Sequence, residues 1–204
     1  MRDRYNQNIA GVDEVGRGCL FGPVVAAAVI LSPTVRSLLL EAGVQDSKKI
    51  APKKRRILAE CIRQNAIACS VGIASVVEID RLNILQASLL AMKRAILKLS
   101  IPPDLCEIDG RQSIPNLPYP QRTVVQGDSQ VLAIASASIV AKVWRDDLIV
   151  RLAERYPEYD LASNKGYGSS KHRTALKTYG VSQQHRRSFR PCSEIPLQYN
   201  SKSI

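Results

Sequence analysis

Asp13-Glu14-Val15-Gly16-Arg17-Gly18, set directly after the apolar stretch Ile9-Ala10-Gly11-Val12, decides how the rest of the chain is read. Residues 8 to 12 have the character of a short buried strand, so two adjacent carboxylates stand at its end. Adjacent acids repel, and flanking glycines weaken regular structure. The combination makes sense if the acids hold a hard cation and the glycines let backbone approach a phosphate or a sugar.

Outward from that stretch, Gly16, Gly18 and Gly22 mark a loop, and residues 23 to 31, rich in Val and Ala, form a second strand closed by Pro33. A short helix over 35–42 ends at Gly43. Asp46-Ser47-Lys48-Lys49 is a polar loop, and Pro52 suits the first turn of a helix carrying Ile57, Leu58, Cys61 and Ile62 on one face. Residues 67 to 75 alternate like a strand. Leu85, Leu89, Met92, Ile96 and Leu99 recur at helical spacing until Pro102 and Pro103 stop them. A strand over 105–108 runs into Asp109-Gly110, and a strand over 123–125 precedes Gly127-Asp128. A helix runs from Ser129 to Tyr156, its first half crowded with Ala133, Ala135, Ser136, Ala137, Ser138 and Ala141, which allows close approach to a sheet. The last third is more basic and more irregular. No repeat or linker divides the chain, so a single domain is expected over 1–190, with 191–204 a flexible tail.

The chain has 204 residues, 45% of them apolar, enough for one ordinary core. It holds 29 Lys and Arg against 18 Asp and Glu, a net charge of +11, which favours a polyanionic partner. The apolar run over 24–31 is too short to span a bilayer, and the N-terminal residues carry no signal-peptide pattern, so the expectation is a cytoplasmic protein with no membrane association. The five cysteines form no CxxC pair and are read as small core residues, with Cys19 beside the acidic motif open to oxidation.

Three strand ends therefore carry acids: Asp13-Glu14, Asp109 and Asp128. Neighbouring strands lie about 4.8 Å apart, so acids leaving one edge of a sheet can meet around metal ions. Magnesium and manganese prefer oxygen ligands, and two such ions roughly 4 Å apart activate a water and stabilise a leaving oxygen in phosphodiester hydrolysis. Taken singly, Asp109-Gly110 is an ordinary turn and Asp128 a helix cap. Asp13-Glu14 fits neither description, and with the basic charge the set points to a nuclease.

The whole ordered set of motifs resembles bacterial ribonuclease HII. The resemblance is carried by Asp13 to Gly18, Gly22-Pro23-Val24, Asp46 to Lys49, Ile108-Asp109-Gly110, Gly127-Asp128, the run from Ala137 to Asp146, Lys165-Gly166-Tyr167-Gly168 and His185-Arg186-Arg187-Ser188-Phe189. It implies the RNase H-like α/β fold, a mixed central sheet flanked by helices with a helical C-terminal part. It implies an endoribonuclease that cleaves the RNA strand of RNA–DNA hybrids and cuts 5′ of ribonucleotides embedded in duplex DNA, leaving 5′-phosphate and 3′-hydroxyl ends. Asp13, Glu14, Asp109 and Asp128 match the family acids that bind two Mg²⁺ or Mn²⁺ ions. Gly16, Arg17 and Gly18 match the element that senses the 2′-hydroxyl, the group that separates RNA from DNA at one position. Tyr167 matches the tyrosine that packs on the neighbouring deoxyribose; seen alone, it is an ordinary packed aromatic.

Lys48, Lys49, Lys142 and Lys165 are candidates for phosphate contact, although isolated lysines are usually surface charges. Ser138 either helps bind phosphate or packs a helix. His172 and His185 are read as packed or surface residues rather than proton shuttles, because the metals supply the nucleophile. Gln126, Ser136 and Asn164 depart from the family's usual lysine, alanine and histidine and bear on substrate grip, not on the reaction. Three rivals stand beside this reading. A ribonuclease HIII-like enzyme usually carries Gly-Lys-Gly and an added N-terminal domain, whereas this chain has Arg17 and an early first strand. A silent nucleic-acid binder of the same fold would have lost an acid. The third is an unrelated basic protein whose acids cap turns. A monomer is the expected state.

Overall fold

A computed structural model describes residues 7–44 and 50–195. The candidates Lys48 and Lys49 lie outside the described residues, as does the end of the expected tail.

β1 (Ile9–Val15), β2 (Val24–Ile30), β3 (Ala68–Ala74), β4 (Leu105–Asp109) and β5 (Gln121–Val124) form one sheet in the order β3-β2-β1-β4-β5. β1 pairs antiparallel with β2, and β2 antiparallel with β3, while β4 lies parallel to both β1 and β5. The expected mixed sheet flanked by helices is what the chain forms.

β2 is buried along its whole length, hence its unbroken Val and Ala. Its alternation divides the core between the two faces. Val24, Ala26, Ala28 and Ile30 join the apolar face of α4 (Ile84–Leu97), including Leu89, Met92 and Ile96. Ala27 and Val29 join α2 (Pro52–Asn65) through Leu58 and Ile62, and α6 (Leu132–Ala153) through Ala133, Ala137 and Ala141. The small residues of α6 let it rest directly on β1. A β-carbon added at Gly11 would come within 2.2 Å of the Ala133 carbonyl carbon.

α1 (Pro33–Glu41) follows β2, its N-terminus capped by the Ser32 hydroxyl. α3 (Val76–Leu82) was not expected from apolar spacing. It begins with a capping box in which Ser75 and Glu78 satisfy each other's backbone amides. Asn83, with φ of +70°, separates α3 from α4 and caps α4 through its side chain. The helix expected over 129–156 is broken at Val131, whose extended backbone divides the short α5 (Gly127–Gln130) from α6.

The C-terminal part is more regular than expected. α7 (Leu161–Asn164) and α8 (Ser170–Tyr179) pack with 3-10 turns at Pro157–Tyr159 and Cys192–Glu194. Phe21, Ile149, Tyr159, Leu176 and Cys192 make a third cluster there. The expected boundary at residue 190 thus falls two residues before a buried cysteine. All five cysteines are free thiols. No helix among the described residues is long and apolar enough to cross a membrane.

Candidate active site

β1 and β4 run parallel as neighbours, with Val12 opposite Ile108. One residue further on, Asp13 and Asp109 therefore leave the same edge of the sheet together. Glu14 joins them, and single carboxylate oxygens of the three lie within 4.8 Å of one another. Asp13 is 5% exposed. Burial, reinforced by the neighbouring Glu14 and Asp109 charges, pushes its carboxyl well above the ordinary range. Burial also raises Glu14, against the Arg17 guanidinium at 3.1 Å, which favours its ionised form. Asp13 Oδ1 accepts the Glu14 amide at 2.7 Å, and the Ser138 hydroxyl is hydrogen-bonded to the same side chain. Asp109 Oδ1 accepts the Gly127 amide at 2.7 Å.

This donor set suits a hard divalent cation. It consists of carboxylate oxygens alone, with Asp13 buried and Glu14 and Asp109 half-buried, and the crowding holds Asp13 and Glu14 toward their neutral forms until positive charge enters between them. Asp128 stands apart from the cluster of three, in the first turn of α5, and lines the same cavity.

That cavity, about 360 Å³, gathers most of the residues singled out from sequence. Asp13, Glu14, Gly16, Arg17, Gly18, Asp109, Asp128, Ser138, Lys142 and Tyr167 all line it. Lys165 does not; its ammonium turns back onto the Ala162 carbonyl. Lys142 pairs with Asp146 at 2.9 Å, and its Nζ lies 5.6 Å from the centre of the Tyr167 ring. Tyr167 is 40% exposed, and partial burial lifts its phenol to about 12.

The two glycines of the loop have different physical causes. Gly16 has φ of +91°, and a β-carbon there would fall 2.2 Å from Arg145 Nε. Gly18 has nothing within 4 Å of where a β-carbon would stand, so its missing side chain leaves the backbone open.

Two residues of the site had no role assigned from sequence. Arg145 is fully buried and donates to the main-chain carbonyls of Phe21, Pro23 and Lys165 at 2.8–3.0 Å. Arg186, also fully buried, donates to Arg17 and Gly22 carbonyls at 2.8 and 3.0 Å. Burial lowers Arg186 to about 10. Together they satisfy the carbonyls of a loop too irregular to satisfy its own. Both sit inside quoted motifs, but counting charge does not distinguish a buried strut from a surface arginine.

The family profile described as ribonuclease HII matches residues 10–192. The chain belongs to the ribonuclease HII family. It is 64% identical over 190 residues to the ribonuclease HII of Acaryochloris marina, covering 93% of this chain and 96% of that one. Against the ribonuclease HII of Trichodesmium erythraeum it is 66% identical over 197 residues, 97% of this chain and 93% of the relative. Among solved structures, ribonuclease H2 from Pyrococcus horikoshii superposes with a TM-score of 0.77 at 27% identity, covering 92% and 96% of the two chains. A ribonuclease HIII solved with Mn²⁺ shares the fold at a TM-score of 0.75 and 16% identity, over 92% of this chain and 68% of that one. The chain is thus a hydrolase of the ribonuclease H class, acting on RNA-containing nucleic acid, with an acidic cluster fit for metal.

Proposed function

We propose that this protein cuts duplex DNA on the 5′ side of an embedded ribonucleotide, and the RNA strand of RNA–DNA hybrids, leaving 5′-phosphate and 3′-hydroxyl ends. The observation that carries the reading is the convergence of Asp13, Glu14 and Asp109 in one cavity with the open Gly18 backbone and the Tyr167 ring. Asp13, Glu14, Asp109 and Asp128 would hold two Mg²⁺ or Mn²⁺ ions, which supply water activation and stabilisation of the leaving oxygen when bound.

This chain's own residues select and align the substrate. Gly16, Arg17 and Gly18 offer main-chain groups to the 2′-hydroxyl, and Gly18 presents no side chain to block them. Tyr167 lies against the next sugar, where a ring in contact disfavours a second 2′-hydroxyl. Lys142, beside that ring, meets a phosphate, as do Lys48 and Lys49; Ser138 orients Asp13. Lys165 would reach a phosphate only by leaving the Ala162 carbonyl. The same reading takes the protein to act as a monomer in the cytoplasm.

The test is cleavage of a labelled DNA duplex holding one ribonucleotide, with Mg²⁺, with Mn²⁺ and with EDTA. A metal-dependent cut 5′ of the ribonucleotide is expected. Cleavage of long hybrids alone would refute the single-ribonucleotide reading, and cleavage in EDTA would refute the metal-binding role of the acids.

A further inference from the structure

The chain's two histidines, His172 and His185, are both buried and face each other, Nε2 to Nε2 at 3.0 Å. Each outer nitrogen meets a backbone group with only one hydrogen-bonding option, and His185 Nδ1 also lies 2.9 Å from the Ser182 hydroxyl, which can donate to it beside the amide. His172 Nδ1 lies 2.9 Å from the Tyr167 carbonyl, which can only accept. His185 Nδ1 lies 3.0 Å from the Ser182 amide, which can only donate. His172 therefore carries its proton on Nδ1, and His185 carries its own on Nε2, donated to the bare Nε2 of His172. One order of protons satisfies the chain from Ser182 to Tyr167, and a third proton would set N–H against N–H. Each ring holds one proton and no charge.

The wire ends on the residue proposed to judge the sugar. The Tyr167 carbonyl accepts from Ser169 N at 2.8 Å and from His172, so both lone pairs are used. The other end is tied to the same loop. Cys19 pairs with Tyr167 and Phe21 with His185 in isolated antiparallel bridges, and Arg186 N donates to the Leu20 carbonyl at 2.9 Å. The strip over 19–22, which continues from Gly18, is thereby clasped between the segments bearing Tyr167 and His185. The imidazoles close the ring behind it. The Tyr159 and Phe21 rings pack edge-on against His185, at 4.6 and 5.0 Å between centres. The charges acting on the pair are Asp160 toward His172 and Arg187 toward His185.

We infer that His172 and His185 are positioning residues that hold Tyr167 at a fixed distance from the Gly16–Gly18 loop and so set discrimination between a single ribonucleotide junction and an all-RNA strand. This rests on the cleavage reading above and deepens it. The test compares kcat/KM on the two substrates for wild type, His172→Phe and His172→Asn. The phenyl ring fills the space without the donor, whereas the asparagine amide restores a donor near the place of Nδ1. In His172→Phe the junction-to-all-RNA ratio is expected to fall about fivefold, the worth of one hydrogen bond, and His172→Asn to recover most of it. An unchanged ratio, or equal loss on both substrates, overturns the inference. If wild type itself fails on the junction, the cleavage reading fails instead. Should His172→Phe not fold, ¹⁵N spectra of the wild-type imidazoles decide: an Nδ1–H for one and an Nε2–H for the other, unchanged from pH 8 to 6, is expected. Two Nε2–H tautomers, or an imidazolium at pH 6, overturns it.

Discussion

Gly16→Ala and Gly18→Ala make the same chemical change two residues apart and are expected to fail in opposite ways. At residue 16 the new methyl meets Arg145 at 2.2 Å from Nε and 2.7 Å from Cδ, on a backbone with φ of +91°. The positive φ costs about 1–2 kcal/mol for a residue with a β-carbon. Displacing the guanidinium surrenders at least one buried bond to the carbonyls of Phe21, Pro23 or Lys165, at about 1–3 kcal/mol for the acceptor left behind. The sum is about 3 kcal/mol, which in a domain of this size lowers the melting temperature by about 6–12 °C. At residue 18 a methyl meets nothing within 4 Å, so stability should stay within about 0.5 kcal/mol of wild type. The methyl does, however, occupy the face proposed for the 2′-hydroxyl, so cleavage at a single ribonucleotide should fall by tenfold or more, about 1.4 kcal/mol. Thermal unfolding with the junction assay reads both. Gly16→Ala melting with wild type, or Gly18→Ala losing as much stability as Gly16→Ala, would refute the division of labour between them.

Asp13→Asn is expected to abolish cleavage and Mn²⁺ binding by calorimetry, yet to melt no lower than wild type without metal, because it removes a buried like charge beside Glu14 and Asp109; a lower melting temperature would show the carboxylate to be structural. Tyr167→Ala should weaken junction cleavage more than cleavage of an all-RNA strand and cost little stability, since the ring is 40% exposed; an unchanged ratio would remove its sensing role. The histidines carry a pH signature. Burial lowers both, His185 to about 3, so the unfolded chain takes up protons first, near the ordinary value of about 6.5. Their contribution is complete above that value and is lost as pH falls below it, for His185 down to about 3, by up to about 1.4 kcal/mol per pH unit. Urea titrations between pH 7 and 4 should show a shallower acid slope in His185→Phe than in wild type; identical slopes would mean that the ring charges freely in the fold.

Much of this was legible because local signals and tertiary demand agree. β2 announced itself as an unbroken Val and Ala run because both its faces are covered. α4 was plain from its spacing, since one side packs on the sheet. Asp13-Glu14 stood out because no turn or cap needs two acids, and the parallel pairing of β1 with β4 brings Asp109 to them. α3 was missed although Ser75 and Glu78 signal its start, because seven residues carry too little periodicity. The break at Val131 has no Pro or Gly to mark it. Arg145 and Arg186 were illegible as positioning groups because most of their partners are remote in sequence: the Phe21, Pro23, Arg17 and Gly22 carbonyls lie 122 to 169 positions away. Lys165 misled in the other direction. Tyr167, two residues on, lines the cavity, but Lys165 has a left-handed backbone at φ of +53° and its ammonium meets the Ala162 carbonyl instead.

α6 lies directly on β1 where Ala133 meets Gly11, and carries Ser138, Lys142 and Arg145 in succession beyond that contact. At a rise of 1.5 Å per residue, Ser138 is about 8 Å along α6 from this contact and Arg145 about 18 Å. A small tilt of the rod therefore displaces the sugar-judging end more than twice as far as the acid-holding end. Wear on the fold, whether by heat or by accumulated substitutions, should blunt fidelity before it slows turnover, leaving a worn enzyme that is still a competent nuclease but a poor judge of where to cut.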